Sequence, residues 1–253
     1  MLHADLTSIP GFRAIAESPY FAARTFRSES DSSRVVTVVM ANRLPLEQQT
    51  GADLVYYNQT FRSFVLVQYK ALETKDGEAE FLWVDGDKFM NELGRMDSLL
   101  AELSKVKDDN DPDGFRLNNN PFFLKFCSRI VFNPDDKSMF PGMYFPLDHW
   151  KSLTAGTRLK GPKGGNLLTY RNVGRRLSSE EFVMLVGGSW VGTTMPQSAF
   201  LEPIIREVLE TGKTVTFAIR RASDPEGDVP DDLVPYDLDD AEEMSVEDFL
   251  GKP

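Results

Sequence analysis

The sequence predicts an α/β fold, with strands in a covered sheet and helices on its faces. Two neighbouring stretches, Thr50–Asn58 and Phe64–Lys70, are rich in Val, Tyr, Phe and Leu, residues that suit a pleated, buried backbone. Both are apolar on either face, as strands in the middle of a covered sheet are. A helical pattern follows: Phe89, Leu93, Met96, Leu100 and Leu103 fall on one side of a helix. Another apolar strand, Phe122–Cys127, comes next. With 253 residues, 41% apolar content and 18 Phe, the chain can bury a substantial core.

In chain order, Pro10, Gly11 and Pro19 interrupt the first residues, which predict a short helix near Phe12–Glu17. From Arg34 to Asn42 the run is apolar and β-branched, so helix and strand compete. Pro45 can open a helical turn carrying Glu47. A polar break at Asn58-Gln59-Thr60 separates the two apolar strands and predicts a hairpin. Asp85-Gly86-Asp87 supplies caps for a helix from about Lys88 to Val106. The strand at Phe122 has an open extension to Val131-Phe132. Ser178-x-x-Glu181 is a capping box for a helix through Leu185. Gly187–Gly192 is a tight loop whose backbone can approach a ligand or another strand. A helix from about Ser198 to Thr211 and a strand at Thr214–Ile219 complete the pattern. The expected organisation is one domain over 1–222, with a core over about 34–132, an α/β extension over 133–222 and a disordered acidic tail over 223–253.

Net charge is −11, but it is not spread evenly. Residues 224–253 contain twelve acids and one base, which leaves 27 of each in the remaining 223. An acidic total therefore does not argue against nucleic-acid binding by the body. A single Cys127 excludes an internal disulfide framework and points to a reducing compartment. No stretch approaches the length of a membrane span, and a cytoplasmic location is the expectation.

The chemistry gathers at the hairpin. Pairing centred between Thr60 and Phe61 sets Asp53 opposite Gln68, with Lys70 on the same face two residues on. An acid, an amide and a lysine at the end of two apolar strands are costly to bury without partners. A divalent metal and a phosphate would suit them; an ordinary Asp53–Lys70 salt bridge at a strand end is the other reading. Competing motifs fail. Asp109-x-Asp111-x-Asp113 has Asn120 where a calcium loop needs a bidentate Glu. Gly161-Pro162-Lys163-Gly164-Gly165 lacks the spacing of a phosphate loop. Two histidines and one cysteine offer little for a zinc site or a Cys-His nucleophile.

Gly51-x-Asp53, a short hairpin and Gln68-x-Lys70 resemble the PD-(D/E)xK nucleases, the restriction-endonuclease-like superfamily. More narrowly, they resemble the branch with Gln in place of the second acid, as in enzymes that restrict modified DNA. The resemblance covers about Arg34 to Phe132. It implies a mixed β-sheet core flanked by helices, in which the Lys88 helix is the crossover after the lysine strand. It also implies an endonuclease that hydrolyses phosphodiester bonds, with Mg²⁺ or Mn²⁺ held by Asp53 and a helix acid. Glu47, six residues before Asp53, is the first choice for that acid, ahead of Glu17 and Glu29; its other reading is a surface helix residue. Lys70 would orient the attacking water, and Gln68 would hold a water or ligand oxygen. A bacterial restriction or anti-phage role follows by analogy, with a second copy or a defence-system protein as possible partners.

One stretch is strongly basic. Lys151, Arg158, Lys160, Lys163, Arg171, Arg175 and Arg176 occur with no acid between Lys151 and Leu177. Phosphate contact is one reading, with DNA preferred to RNA as the partner. The other is a solvated loop that the acidic tail can pair with. At the level of the whole chain two functions stand: a metal-dependent nuclease, or a catalytically inactive protein of the same fold that binds nucleic acid or acts as a scaffold.

Overall fold

Strand-forming runs from across the chain join a single nine-stranded sheet in the computed structural model, which describes residues 1–17, 22–41, 45–129 and 139–211. Phe12–Glu17 (β1), Ala23–Ser28 (β2), Val35–Met40 (β3), Leu54–Asn58 (β4) and Ser63–Lys75 (β5) pair in succession, each antiparallel to the next. The competition at Val35 resolves as strand, because Val36, Val38 and Val39 are buried between neighbours. Along its first part β5 pairs with Phe122–Ser128 (β7), and beyond Leu72 it pairs with Glu78–Trp83 (β6). Met143–Pro146 (β8) lies outside β7, and Asn166–Thr169 (β9) outside β6. Among the described strands only β5 and β7 run parallel, so the sheet is mixed but mostly antiparallel.

The hairpin has the register that the two apolar runs predict. Leu54 faces Val67 and Asn58 faces Ser63, which sets Asp53 across from Gln68. The backbone continues the ladder past the strand end, since Asp53 N–H donates to Val67 O at 2.9 Å and Ala41 N–H donates to Asp53 O at 2.8 Å.

Among the described residues there are six helices: Leu2–Thr7 (α1), Pro45–Thr50 (α2), Lys88–Leu103 (α3), Leu147–Thr154 (α4), Ser179–Gly187 (α5) and Met195–Thr211 (α6). Helices cover both faces, as strands without a polar side require. On one face, residues of α2, α3, α4 and α6 pack over Val55, Tyr57, Leu66, Leu124 and Phe126. On the other, α1 and α5 pack over Leu54, Tyr56, Val67, Phe123 and Tyr144. Helix α3 is the crossover between parallel β5 and β7; its Asp87 cap accepts Met90 N–H at 2.9 Å. The capping box of α5 is formed as its sequence predicts.

Two expectations are corrected. Phe12–Glu17 is a strand, not a helix, and the first helix is Leu2–Thr7. The helix placed at Ser198 begins earlier, at Met195, and carries Pro203 inside it. The 187–192 loop meets a strand: Thr193 N–H donates to Phe64 O at 3.0 Å, and a Cβ on Gly192 would stand 2.6 Å from that carbonyl. Val131-Phe132, the strand placed at Thr214–Ile219 and the acidic tail lie outside the described residues. No helix among the described residues is long and apolar enough to cross a membrane.

Candidate functional site

Asp53, Gln68, Lys70 and Glu47 line one hollow of about 560 Å³. Each arrives by a separate local cause. The hairpin register sets Asp53 and Gln68 opposite each other, and the two-residue repeat of β5 turns Lys70 to the same side. Pro45 opens α2, and one turn places Glu47 towards the hollow, where it is 8% exposed. Gly51 then ends α2 with φ +72° and passes so close to α3 that a Cβ would stand 2.6 Å from Glu92 O. The glycine of Gly51-x-Asp53 is thus required twice, by its conformation and by this contact.

Asp53 is 5% exposed, and its Oδ2 accepts Tyr69 N–H at 2.7 Å. Burial raises its pKa to about 7; Glu47 and Glu92 add to the rise, while the Tyr69 bond and Lys70 oppose it. Gln68 is 2% exposed: its Nε2 donates to Tyr69 O at 3.3 Å, and its Oε1 is buried without a hydrogen-bond partner among the described residues.

Lys70 forms its ion pair with Glu92 of α3, so the Asp53–Lys70 salt bridge is not the pairing found among the described residues. Its Nζ also lies 5.3 Å from the centre of the Phe89 ring. Lys88, at the start of α3, stands 3.8 Å from Glu47 and 3.9 Å from Glu92. Glu92 and Lys88 are the site residues that the sequence reading missed. Glu92 had a signal, since it falls in the buried series Phe89, Glu92, Met96, Leu99, Leu103. An acid on the inner stripe of an amphipathic helix requires a cation beside it. Met1, Leu2 and His3 also reach the rim, brought there by α1.

Helix α1 is fixed from below. Asp5, fully buried, pairs with the equally buried Lys125 and accepts the Tyr69 hydroxyl at 2.7 Å. Lys125 also donates to Phe140 O at 2.6 Å and lies over the rings of Tyr69 and Tyr144. Tyr69 therefore touches both faces, with its backbone N–H on Asp53 and its hydroxyl on Asp5.

Among the described residues no group of three His, Cys, Asp or Glu stands ready to hold a metal ion. The oxygens that line the hollow are those of the Asp53, Glu47 and Glu92 carboxylates and the orphaned Gln68 Oε1. Hard oxygens of this kind fit Mg²⁺ or Mn²⁺, which commonly take one or two carboxylates and complete their shell with water. Cys127 is not part of this chemistry; it is buried, and burial pushes its thiol up to about 12.

None of the predicted nucleic-acid contacts lines this hollow. Lys160 bonds Asn166 at 2.5 Å and Arg171 pairs with Glu78 at 3.3 Å. Lys163 lies in the turn closed by Gly161 N–H to Gly165 O. Arg158, Arg175 and Arg176 stand elsewhere, near Gly174. Compared with protein-family models, curated protein sequences and solved structures, the chain finds no match.

Proposed function

We propose that the protein is a metal-dependent endonuclease of the PD-(D/E)xK type, with a restriction-endonuclease-like core, that hydrolyses phosphodiester bonds in nucleic acid. The observation that carries this reading is the meeting of Asp53, Gln68, Lys70 and Glu47 in one hollow, around an amide oxygen with no partner. Antiparallel β4–β5, a helical crossover and parallel β7 supply the framework that the resemblance implies.

Asp53, Glu47 and Gln68 Oε1 would hold the ion. When bound, a divalent ion supplies Lewis-acid polarisation of a phosphoryl oxygen and a lowered pKa for the attacking water. Lys70 orients that water and offsets charge on the phosphate. Glu92 holds Lys70 in place through their ion pair. Lys88, mostly exposed at the mouth, meets the incoming phosphate. DNA is the preferred substrate, in a bacterial restriction or anti-phage setting, with a second copy or a defence protein as partner.

The second reading is a nuclease-fold protein without turnover that binds nucleic acid or serves as a scaffold. Two observations favour it: the neutral Gln68 at the position of the second acid, and a Lys70 already neutralised by Glu92. Incubating the purified protein with single- and double-stranded DNA and with RNA, in Mg²⁺, Mn²⁺ and EDTA, separates the two. The nuclease reading expects cleavage that needs metal and disappears in Asp53→Asn and Lys70→Met. Absence of cleavage on every substrate, or cleavage that survives Asp53→Asn, overturns it.

A further inference from the structure

The basic stretch divides into engaged and unengaged side chains. Lys151 pairs with Asp97, Lys160 with Asn166 and Arg171 with Glu78. Lys163 forms no ion pair or side-chain hydrogen bond with another described residue, and neither do the three arginines Arg158, Arg175 and Arg176. These three gather around Gly174. Arg175 and Arg176 follow it in the chain, and Arg158 Nη1 lies 3.3 Å from where a Cβ on Gly174 would stand. His149 feels the same cluster: its pKa is lowered, first by burial and then by Arg175 and Arg158.

The segment that carries them is fixed. Leu177 exchanges both backbone hydrogen bonds with Tyr144 of β8, each at 3.0 Å. Between this segment, Gly142 and the start of α5 lies an open hollow of about 530 Å³, a size common for small-molecule sites. Tyr170 lines it, 36% exposed, with the Arg176 guanidinium 5.3 Å from its ring centre. Glu181 is the only acid on the lining among the described residues, and its carboxylate accepts Ser178 N–H at 2.7 Å in the capping box.

We propose that this hollow binds a nucleotide, with its phosphate on Arg175 and Arg176, Arg158 behind them, and its base against Tyr170. Guanidinium groups with no carboxylate partner among the described residues favour an anion, and the planar guanidinium fork matches phosphate oxygens. An exposed tyrosine ring beside them adds a stacking surface that any base can use. The nucleotide is a unit of a polymer or a free molecule. The polymer form rests on the nuclease reading. Lys70 lies beside Phe126 and Phe126 beside Met143, so the hollow at Gly142 begins two strands from Lys70.

Titration calorimetry in EDTA tests this with full-length wild type, Tyr170→Ala, and Arg175→Gln combined with Arg176→Gln. The probes are inorganic phosphate, AMP, CMP and a twelve-nucleotide single strand. Wild type should bind the nucleotides more tightly than phosphate. Tyr170→Ala should weaken nucleotide binding about tenfold and leave phosphate unchanged. The double Arg variant should weaken both at least tenfold, with thermal melts matching wild type. Tighter binding of the oligonucleotide than of AMP or CMP assigns the hollow to a polymer, and the reverse order to a free nucleotide. Unchanged affinities in both variants, or no binding of any probe by wild type, overturn the proposal. Nucleotide binding without cleavage refutes the nuclease and keeps the hollow. Cleavage by variants with wild-type KM and nucleotide affinity does the opposite.

Discussion

Lys70 of β5 and Glu92 of α3 form an ion pair between sheet and helix, with the Glu92 side chain 1% and the Lys70 side chain 15% exposed. A pair so placed gains little over an apolar equivalent, but removing one partner strands the other. Lys70→Met should therefore destabilise the fold by about 3 kcal/mol, and Glu92→Gln by somewhat less, because the freed ammonium can reach water. The double variant should recover most of the loss. Urea unfolding of the four proteins gives the coupling, and a value under about 0.5 kcal/mol would mean that the pair does not hold α3 to the sheet.

Asp53 sets the pH dependence. Its folded pKa of about 7 lies above the usual carboxylate value, so the folded state keeps a proton that the unfolded chain has released. Its contribution is fully present below about pH 4 and is lost as pH rises through 7. Wild type should lose a few kcal/mol relative to Asp53→Asn between pH 4 and 8, since each unit is worth about 1.4 kcal/mol. Parallel stability–pH curves for the two proteins would contradict this. Mg²⁺ should offset the loss above pH 7, where the carboxylate is free to take it.

Beneath the site, Asp5 and Lys125 are both fully buried and paired. Asp5→Asn or Lys125→Met alone should cost about 3–5 kcal/mol, the range for an uncompensated buried charge. The loss should come with weaker protection of the Tyr69 amide in hydrogen exchange, because Tyr69 carries Asp5 on its hydroxyl and Asp53 on its backbone. Tyr69→Phe, which keeps the ring, should show the exchange effect with a smaller loss of stability.

These residues also show which parts of the structure the sequence made legible. Register, the turn at Pro45 and the crossover helix were readable because each rests on a local rule: period two, a proline at a helix start, a period near 3.6. Phe12–Glu17 was misread for a physical reason. It lies at the sheet edge, mostly exposed, and its register with β2 shifts between Ala14 and Ala16, which breaks the alternation. Asp5 gave no local signal, because its partner Lys125 is remote in sequence and enters only through tertiary packing. Glu92 was legible in principle, since it sits in the same stripe as Phe89 and Met96, but an apolar-only count skips it.

Gly51 links the motif to α3. Gly51→Ala would force a side chain into a left-handed conformation and drive its Cβ against Glu92 O, a backbone atom that cannot swing aside. The expected loss is about 2 kcal/mol or more, as for substitutions at strained, tightly packed positions. The nuclease reading adds that cleavage should fall further than stability explains, because α3 carries Glu92 and Lys88. Activity that follows the folded fraction alone would confine Gly51 to a structural role.

Gln68→Glu tests the centre of the site. The variant adds a carboxylate where the unpaired Oε1 now stands, beside Asp53, Glu47 and Glu92. Without metal, a further buried negative charge raises the cost of ionising Asp53, so the variant should melt below wild type at pH 8 and approach it at pH 5. If the oxygen faces an ion, Mg²⁺ should lift the melting temperature of Gln68→Glu more than that of wild type, and cleavage should persist or strengthen. Calcium, a hard cation of similar taste for oxygen, should stabilise as well and need not support turnover. If Gln68 is only a packed amide, the added charge should destabilise at pH 8 with no recovery from either ion. Melts at two pH values with Mg²⁺, Ca²⁺ and EDTA therefore decide whether the amide marks a metal position, independently of which nucleic acid is cut.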